Sequence, residues 1–212
     1  MPSAHTALLV IDVQPDFMPG GALACHQGHD IVPGIQSLLQ ARRYSHVVAS
    51  QDWHPPQHVS FASQHDGGEP FKQIELYGQP QTLWPDHCVQ HTPGAQLHPD
   101  VDWSAVDMIL RKGADSRVDS YSAFRNNHDP NGARPSTGLA GWLRDRGVTE
   151  VHMCGLARDV CVLWSAQDAR ALGLDVTLLW PLTRPVSPDT DNATRHACNA
   201  AGIHIESSPT PP

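Results

Sequence analysis

Apolar positions along the chain fall into short continuous runs that alternate with amphipathic stretches. Ala7 to Val13 (ALLVIDV) is apolar except for Asp12, the pattern of a strand buried on both faces. A helical pattern is expected from about Ile31 to Tyr44, with Asp30 placed to cap it. His46 to Gln51 (HVVASQ) reads as a second strand and Val106 to Lys112 (VDMILRK) as a third. Between them, up to about Val101, lies a long irregular stretch, and loops of that length inside a domain are usually functional. From Ser136 the pattern is cleaner. Ser136 is expected to cap a short helix that stops at Gly147, and Glu150 to Cys154 to form a strand. A helix from about Arg158 to Leu172 stops at Gly173, and Asp175 to Trp180 is the next strand. Ser187 and Pro188 open a helix that ends before Gly202, and Ile203 to Glu206 closes the series.

Strands alternating with helices imply a three-layer α/β/α arrangement around a mostly parallel sheet. The 212 residues suit one α/β domain spanning 1–212, with Ser207 to Pro212 expected to fray. The chain has nineteen prolines and sixteen glycines, most of them between residues 14 and 135, which agrees with a loop-rich first half. A formal net charge of −8 argues against nucleic acid or an anionic membrane as the main partner, because both demand a basic surface. No segment approaches the roughly 20 apolar residues of a membrane span. The N-terminal stretch lacks a basic region and a long apolar run, so no signal peptide and a cytoplasmic location are expected. Five widely spaced cysteines with no C-x-x-C pair do not make a disulfide framework. They fit a reducing compartment with one thiol available for chemistry.

In open parallel sheets, sites lie outside the carboxyl ends of the strands. Here strand one ends at Asp12 and strand two leads into Asp52 and His54. Strand three ends at Lys112, and strand four leads through Gly155 to Cys161. An acid, a cluster of metal-binding types, a base and a thiol therefore share one rim. Cys161 falls within the first turn of its helix, where N–H groups and the helix dipole favour a thiolate. Cys25, Cys88, Cys154 and Cys198 read as buried filler. Asp12 is suited to take the thiol proton and return it to a leaving amine, and Lys112 to hold Asp12. Asp52 and His54, two apart in an extended segment, point the same way and can converge on one ion, with His58 and His87 following. An oxygen–nitrogen donor set suits zinc, iron(II) or manganese and does not choose among them. Most of the fourteen histidines cannot be ligands, and His65, His91 and His98 read as surface or loop residues.

Five segments together resemble the nicotinamidases of the isochorismatase-like hydrolase superfamily. They are Asp12-Val13-Gln14-Pro15-Asp16-Phe17, Gln51-Asp52-Trp53-His54-Pro55, and Leu83-Trp84-Pro85-Asp86-His87-Cys88-Val89. Arg111-Lys112-Gly113 with Asp119 to Phe124, and Gly155 to Val162, complete the set in family order. The resemblance covers about residues 7 to 206. It implies a triad of Asp12, Lys112 and Cys161, metal ligands Asp52, His54 and His87 with His58 as a further candidate, and Phe17, Trp84 and Tyr121 around a pyridine ring. It also implies a cis peptide between Leu156 and Ala157, with the Ala157 and Cys161 N–H groups forming an oxyanion hole, and a tendency to self-associate. Arg158, Val160 and Trp180-Pro181-Leu182 depart from the family pattern and bear on the pocket mouth and subunit contacts rather than on the triad.

On this resemblance the expected reaction is hydrolysis of nicotinamide, and of pyrazinamide, through a Cys161 thioester in NAD salvage, with one divalent transition metal. Three alternatives stand beside it. One is a metal-free relative acting on vinyl ethers, ureido acids or other amides, which Asp52, His54 and His87 argue against. Another is a metallohydrolase in which Cys161 is structural. The last is a non-enzymatic module on a retired hydrolase fold.

Overall fold

The first strand, β1 (Ser3–Ile11), carries the apolar run, and its residues Ala7 to Val10 have no solvent exposure. Alternate side chains face opposite ways, as the pleat requires. Leu8 and Val10 pack on one side and Ala7, Leu9 and Ile11 on the other. A strand sandwiched in this way sits mid-sheet. In the computed structural model, which describes residues 3–208, β1 lies between β2 (Tyr44–Asp52) and β6 (Glu150–Leu156). With β5 (Met108–Lys112), β7 (Asp175–Arg184) and β8 (His204–Glu206), the order is β5-β2-β1-β6-β7-β8. Every neighbouring pair in this sheet is parallel.

Helix α1 (Val32–Gln40) covers one face through Ile35, Leu38 and Leu39. Helices α2 (Leu139–Arg144), α3 (Leu163–Ala171) and α4 (Asp191–Ala200) cover the other. The expected three-layer α/β/α architecture is what forms. Among the described residues no helix is long and apolar enough to cross a membrane.

Local boundaries differ from the sequence reading for identifiable reasons. The first helix stops at Gln40, because Arg42 takes a left-handed φ of 49° and turns the chain into β2. Asp30 does not cap it: a 3-10 turn over Gly28–Ile31 precedes the helix, and Asp30 instead faces Arg184 at 3.7 Å. Gly138, not Ser136, stands at the N-cap of α2. The stretch read as irregular contains a hairpin, β3 (Gln73–Leu76) and β4 (Gln79–Thr82). Its two-residue turn, Tyr77-Gly78, has positive φ at both positions, which suits a twisted hairpin but is a weaker sequence signal than Asn-Gly. Strand β7 runs past Trp180 to Arg184 through a register shift against β6. Of the tail expected to fray, 209–212 lies outside the described residues.

The strand order reverses beside β1. The chain moves outward through β2 and β5, then returns to place β6 on the other flank. The crevice at the carboxyl ends of β1 and β6 is therefore a topological switch point, where parallel sheets hold their ligands.

Candidate active site

Four side chains cross this rim in strand order. Lys112 ends β5 and is the direct register partner of Asp52, which ends β2. Asp12 follows β1, and Cys161 follows β6. All four are buried, with Asp12 showing no exposure. Parallel pairing thus decides that Lys112 meets Asp52, at 2.5 Å from Nζ to Oδ1. The ammonium also donates to Ser120 O at 2.9 Å and to Cys161 Sγ at 3.5 Å. It also lies 2.8 Å from Asp12 Oδ2, a fully buried ion pair. Asp12 Oδ1 accepts from Ser50 Oγ at 2.6 Å. Asp12 lies beyond the strand at φ 48°, a left-handed conformation that turns its carboxylate into the crevice. Its carboxylate, that of Asp52 and the Cys161 sulfur lie within 4.8 Å of one another.

Burial pushes the Asp12 carboxyl up; Lys112 opposes this and the Asp52 charge reinforces it, leaving the pKa raised. For Asp52 burial acts the same way, but Lys112 and His54 outweigh it and hold the carboxyl well below its usual range. Burial works against the Lys112 charge, yet Asp12 and Asp52 keep the ammonium protonated. Burial drives the Cys161 thiol well above its ordinary value despite the pull of Lys112, and Asp12 and Asp52 add to the rise. Burial thus favours the protonated thiol at rest, with the Lys112 cation held beside the Asp12 and Asp52 carboxyl groups.

Cys161 sits in a π-helical turn, Arg158–Val162, rather than in the first turn of a regular helix. Val160 N and Val162 N both donate to Ala157 O, at 3.1 and 3.0 Å. The preceding Leu156–Ala157 peptide is cis, as the resemblance implied. Arg158 turns away from the pocket. Its guanidinium donates to Thr183 and Asp191, and lies 3.9 Å from the Trp180 ring centre. Val160, its neighbour in the family departures, does line the pocket.

Next to the thiol, Asp52 Oδ2 faces His54 Nε2 at 3.6 Å and His87 Nε2 at 3.7 Å. An isolated bridge between His54 and Val89 brings the His87 segment alongside. The Nδ1 atoms of His54 and His87 lie 3.0 Å from Gly113 O and 2.8 Å from Pro85 O. Those carbonyls accept from N–H at Nδ1 and turn each Nε2 toward the carboxylate, the atom that can ligate an ion once it carries no proton. Two ligands about 2.0 Å from an ion in tetrahedral geometry stand roughly 3.3 Å apart. The three donors therefore fit one metal ion after a small contraction. His58 belongs to a neighbouring group with His54 and Asp119. Its Nδ1 lies 2.7 Å from Ser60 Oγ and its Nε2 3.3 Å from Val118 O. Burial, with His54 alongside, lowers its pKa to about 4, so it is neutral.

Phe17, Trp84 and Tyr121 line the pocket with Cys161, Asp52, His54 and His87. Phe17 is held in a 3-10 turn, 5.6 Å from the His87 ring. Trp84 Nε1 donates to the Tyr121 hydroxyl at 3.1 Å. Cys25, Cys88, Cys154 and Cys198 are buried free thiols, in keeping with filler roles. His98 is a loop residue as read, but buried rather than at the surface.

Several residues near the chemistry carried no role in the sequence reading. Ser50 buttresses Asp12. Gln14 clamps the Asp52 backbone, donating to its carbonyl at 2.9 Å and accepting from its N–H at 2.8 Å. Asp16 fixes the His87 segment by accepting from Cys88 N at 2.7 Å. Gln14 and Asp16 lie inside the first motif, which was the available signal. Gln81, which donates to Asp119 and Tyr121, comes from the unpredicted hairpin and had none.

The isochorismatase domain model matches residues 6–194. The nicotinamidase of Acinetobacter baylyi is 43% identical over 207 residues, covering 96% of this chain and 93% of that protein. The nicotinamidase of Escherichia coli is 47% identical over 175 residues, covering 82% and 80%. Among solved structures, the nicotinamidase/pyrazinamidase of Acinetobacter baumanii superposes with a TM-score of 0.90 at 36% identity, covering 97% of each chain. The yeast nicotinamidase bound to the inhibitor nicotinaldehyde gives 0.89 at 30% identity, covering 96% and 100%. The Pyrococcus horikoshii pyrazinamidase in complex with zinc gives 0.77 at 33%, covering 96% and 99%. Likeness of this extent, in sequence and in fold, places the crevice in a known lineage: the chain belongs to the isochorismatase family, in its nicotinamidase group.

Proposed function

We propose that this chain, acting as one cytoplasmic domain in NAD salvage, hydrolyses nicotinamide to nicotinate and ammonia and also accepts pyrazinamide. The observation that carries the reading is a thiol, a carboxylate and an ammonium gathered beside three convergent metal-type donors in one aromatic-walled pocket. Asp52, His54 and His87 would hold a divalent transition metal, with His58 as a further candidate. When bound, such an ion supplies a Lewis acid that orients the ring nitrogen and draws electron density from the amide. Those donors are also the argument against a metal-free relative's chemistry.

In the reaction, Asp12 removes the Cys161 proton and the sulfur attacks the amide carbon. Lys112, 3.5 Å from the sulfur, steadies the thiolate as it forms, which matters because burial alone disfavours it. The N–H groups of Ala157 and Cys161 receive the oxyanion. Asp12 then gives its proton to the departing nitrogen, leaving a thioester and ammonia. Water attacks the thioester, Asp12 takes the water proton, and nicotinate leaves as the thiol is restored. The aromatic side chains Phe17, Trp84 and Tyr121 pack against the ring and keep bulk water away.

The decisive experiment is ammonia release from nicotinamide by the native protein, with and without a chelator, beside Cys161→Ala. Loss of release in the variant and in chelated protein is expected. A variant that released ammonia at the normal rate would remove the nucleophile from the account.

A further inference from the structure

Outside the site lies a second cavity of about 360 Å³. Small-molecule sites begin at roughly that size. The inner pocket beside Cys161 is much smaller, at about 20 Å³. The two spaces share Trp84 and Tyr121 as a common wall. On the outer side, Trp164 lies 5.2 Å from the Tyr121 ring and extends the aromatic surface. Facing it are Gln73 and Gln79 from the hairpin, and Asn127.

The chemistry of this lining is specific. Among the described residues, the side-chain amides of Gln73 and Gln79 bond to no other protein group, and only the Asn127 Oδ1 is used, accepting from Tyr121 N. No lysine or arginine among the described residues lines the cavity. Its carboxylate, Asp159, is already engaged by Val186 N at 2.9 Å and Thr190 Oγ1 at 2.7 Å. Uncommitted amides beside aromatic rings, with no lysine or arginine and with the His128 imidazole as the remaining polar ring of the lining, suit a group that both donates and accepts hydrogen bonds.

We propose that the outer cavity is a subsite for a neutral, amide-bearing substituent on the aromatic carboxamide, so that the substrate class extends beyond the unsubstituted ring. The inference rests on the nicotinamidase reading. Ring nitrogen and carboxamide are the anchoring groups in that reading, and ring carbon 5 is meta to both. A substituent there is the one least constrained by the anchors, and the outer cavity, which shares Trp84, Tyr121 and Val160 with the inner pocket, is the space adjoining it.

The test compares nicotinamide with two derivatives carrying at carbon 5 a –CH2CH2CONH2 arm or a –CH2CH2CO2⁻ arm. The amide arm is expected to be turned over with kcat/KM at least tenfold above the carboxylate arm. Gln73→Ala and Gln79→Ala together should lower kcat/KM for the amide arm about five- to tenfold and leave nicotinamide within twofold. Equal turnover of the two arms, or equal losses on nicotinamide and the amide arm, overturns the subsite. Calorimetric binding of the amide-arm compound to Cys161→Ala protein separates this from failure of the underlying reading. If nicotinamide is not hydrolysed but the glutamine variants still weaken that binding, the subsite stands and the reaction does not. If they leave binding unchanged, the subsite is refuted whatever the activity.

Discussion

Replacing Lys112 by methionine removes the cation that three groups share and keeps most of the volume. Lys112 Nζ sits 2.8 Å from Asp12 and 2.5 Å from Asp52, and none of the three side chains has more than a trace of exposure. Removing one partner of a buried pair costs about 3–5 kcal/mol, because the remaining charge stays buried without compensation. For a chain of this length about 1 kcal/mol moves Tm by roughly 2–4 °C, so a fall of about 6–20 °C is expected in chelator-treated protein. The pH dependence is diagnostic. In the native protein Asp52 is held below its unfolded pKa, so it contributes stability above that pKa that is lost as pH falls through the folded value. Asp12 is raised even with the ammonium present, and without it burial and the Asp52 charge are opposed only by the Ser50 hydrogen bond. Carboxyls with raised folded pKa values bind protons more tightly in the folded state, so the variant regains stability as pH falls. Urea unfolding of both proteins at about pH 8 and about pH 5 should show the gap narrowing toward acid. A gap under about 1 kcal/mol at the higher pH, or one equal at both, would refute the shared-cation argument.

Asp12→Asn keeps the shape but cannot accept the thiol proton, and should lower kcat by about 10²–10⁴ with little change in KM, measured by ammonia release. Because the working form of Asp12 is ionised and its pKa is raised, native kcat/KM should decline toward acid at a pH above the ordinary aspartate range; a profile flat down to that range contradicts this. His87→Ala should reduce bound metal from about one ion per chain to a small fraction by elemental analysis, while the fold persists by circular dichroism. Gly113→Ala probes the support of His54. Gly113 has φ +67°, and an added Cβ would meet His54 Cε1, so the ring must shift; metal affinity should fall by about tenfold or more, while unchanged affinity would show that the ring is not held there.

The layered fold and most of the reacting groups were legible in the amino-acid order. Runs such as ALLVIDV can be satisfied only by burial on both faces, and the rule that parallel strands present their sites at the carboxyl ends then placed Asp12, Asp52, Lys112 and Cys161 on one rim. These are consequences of local pattern and chain direction, which a sequence carries. The motif resemblance added the identity of the third donor, His87, which lies 33 residues from His54 and for which spacing offers no rule. Contacts between segments with no fixed separation emerged only on folding. Register in the β2–β5 pair set Lys112 against Asp52, a one-residue slip of which would turn the lysine to the other face. The hairpin at 73–82 supplied Gln81 and the outer cavity, because its pairing depends on two left-handed residues that composition does not announce. The turn holding Cys161 is π-helical and Arg158 is drawn away from the pocket by Thr183 and Asp191, outcomes of packing against β7 and α4. Local free energies select the elements; the long-range pairings that place their ends within a few ångströms exist only once the sheet is assembled.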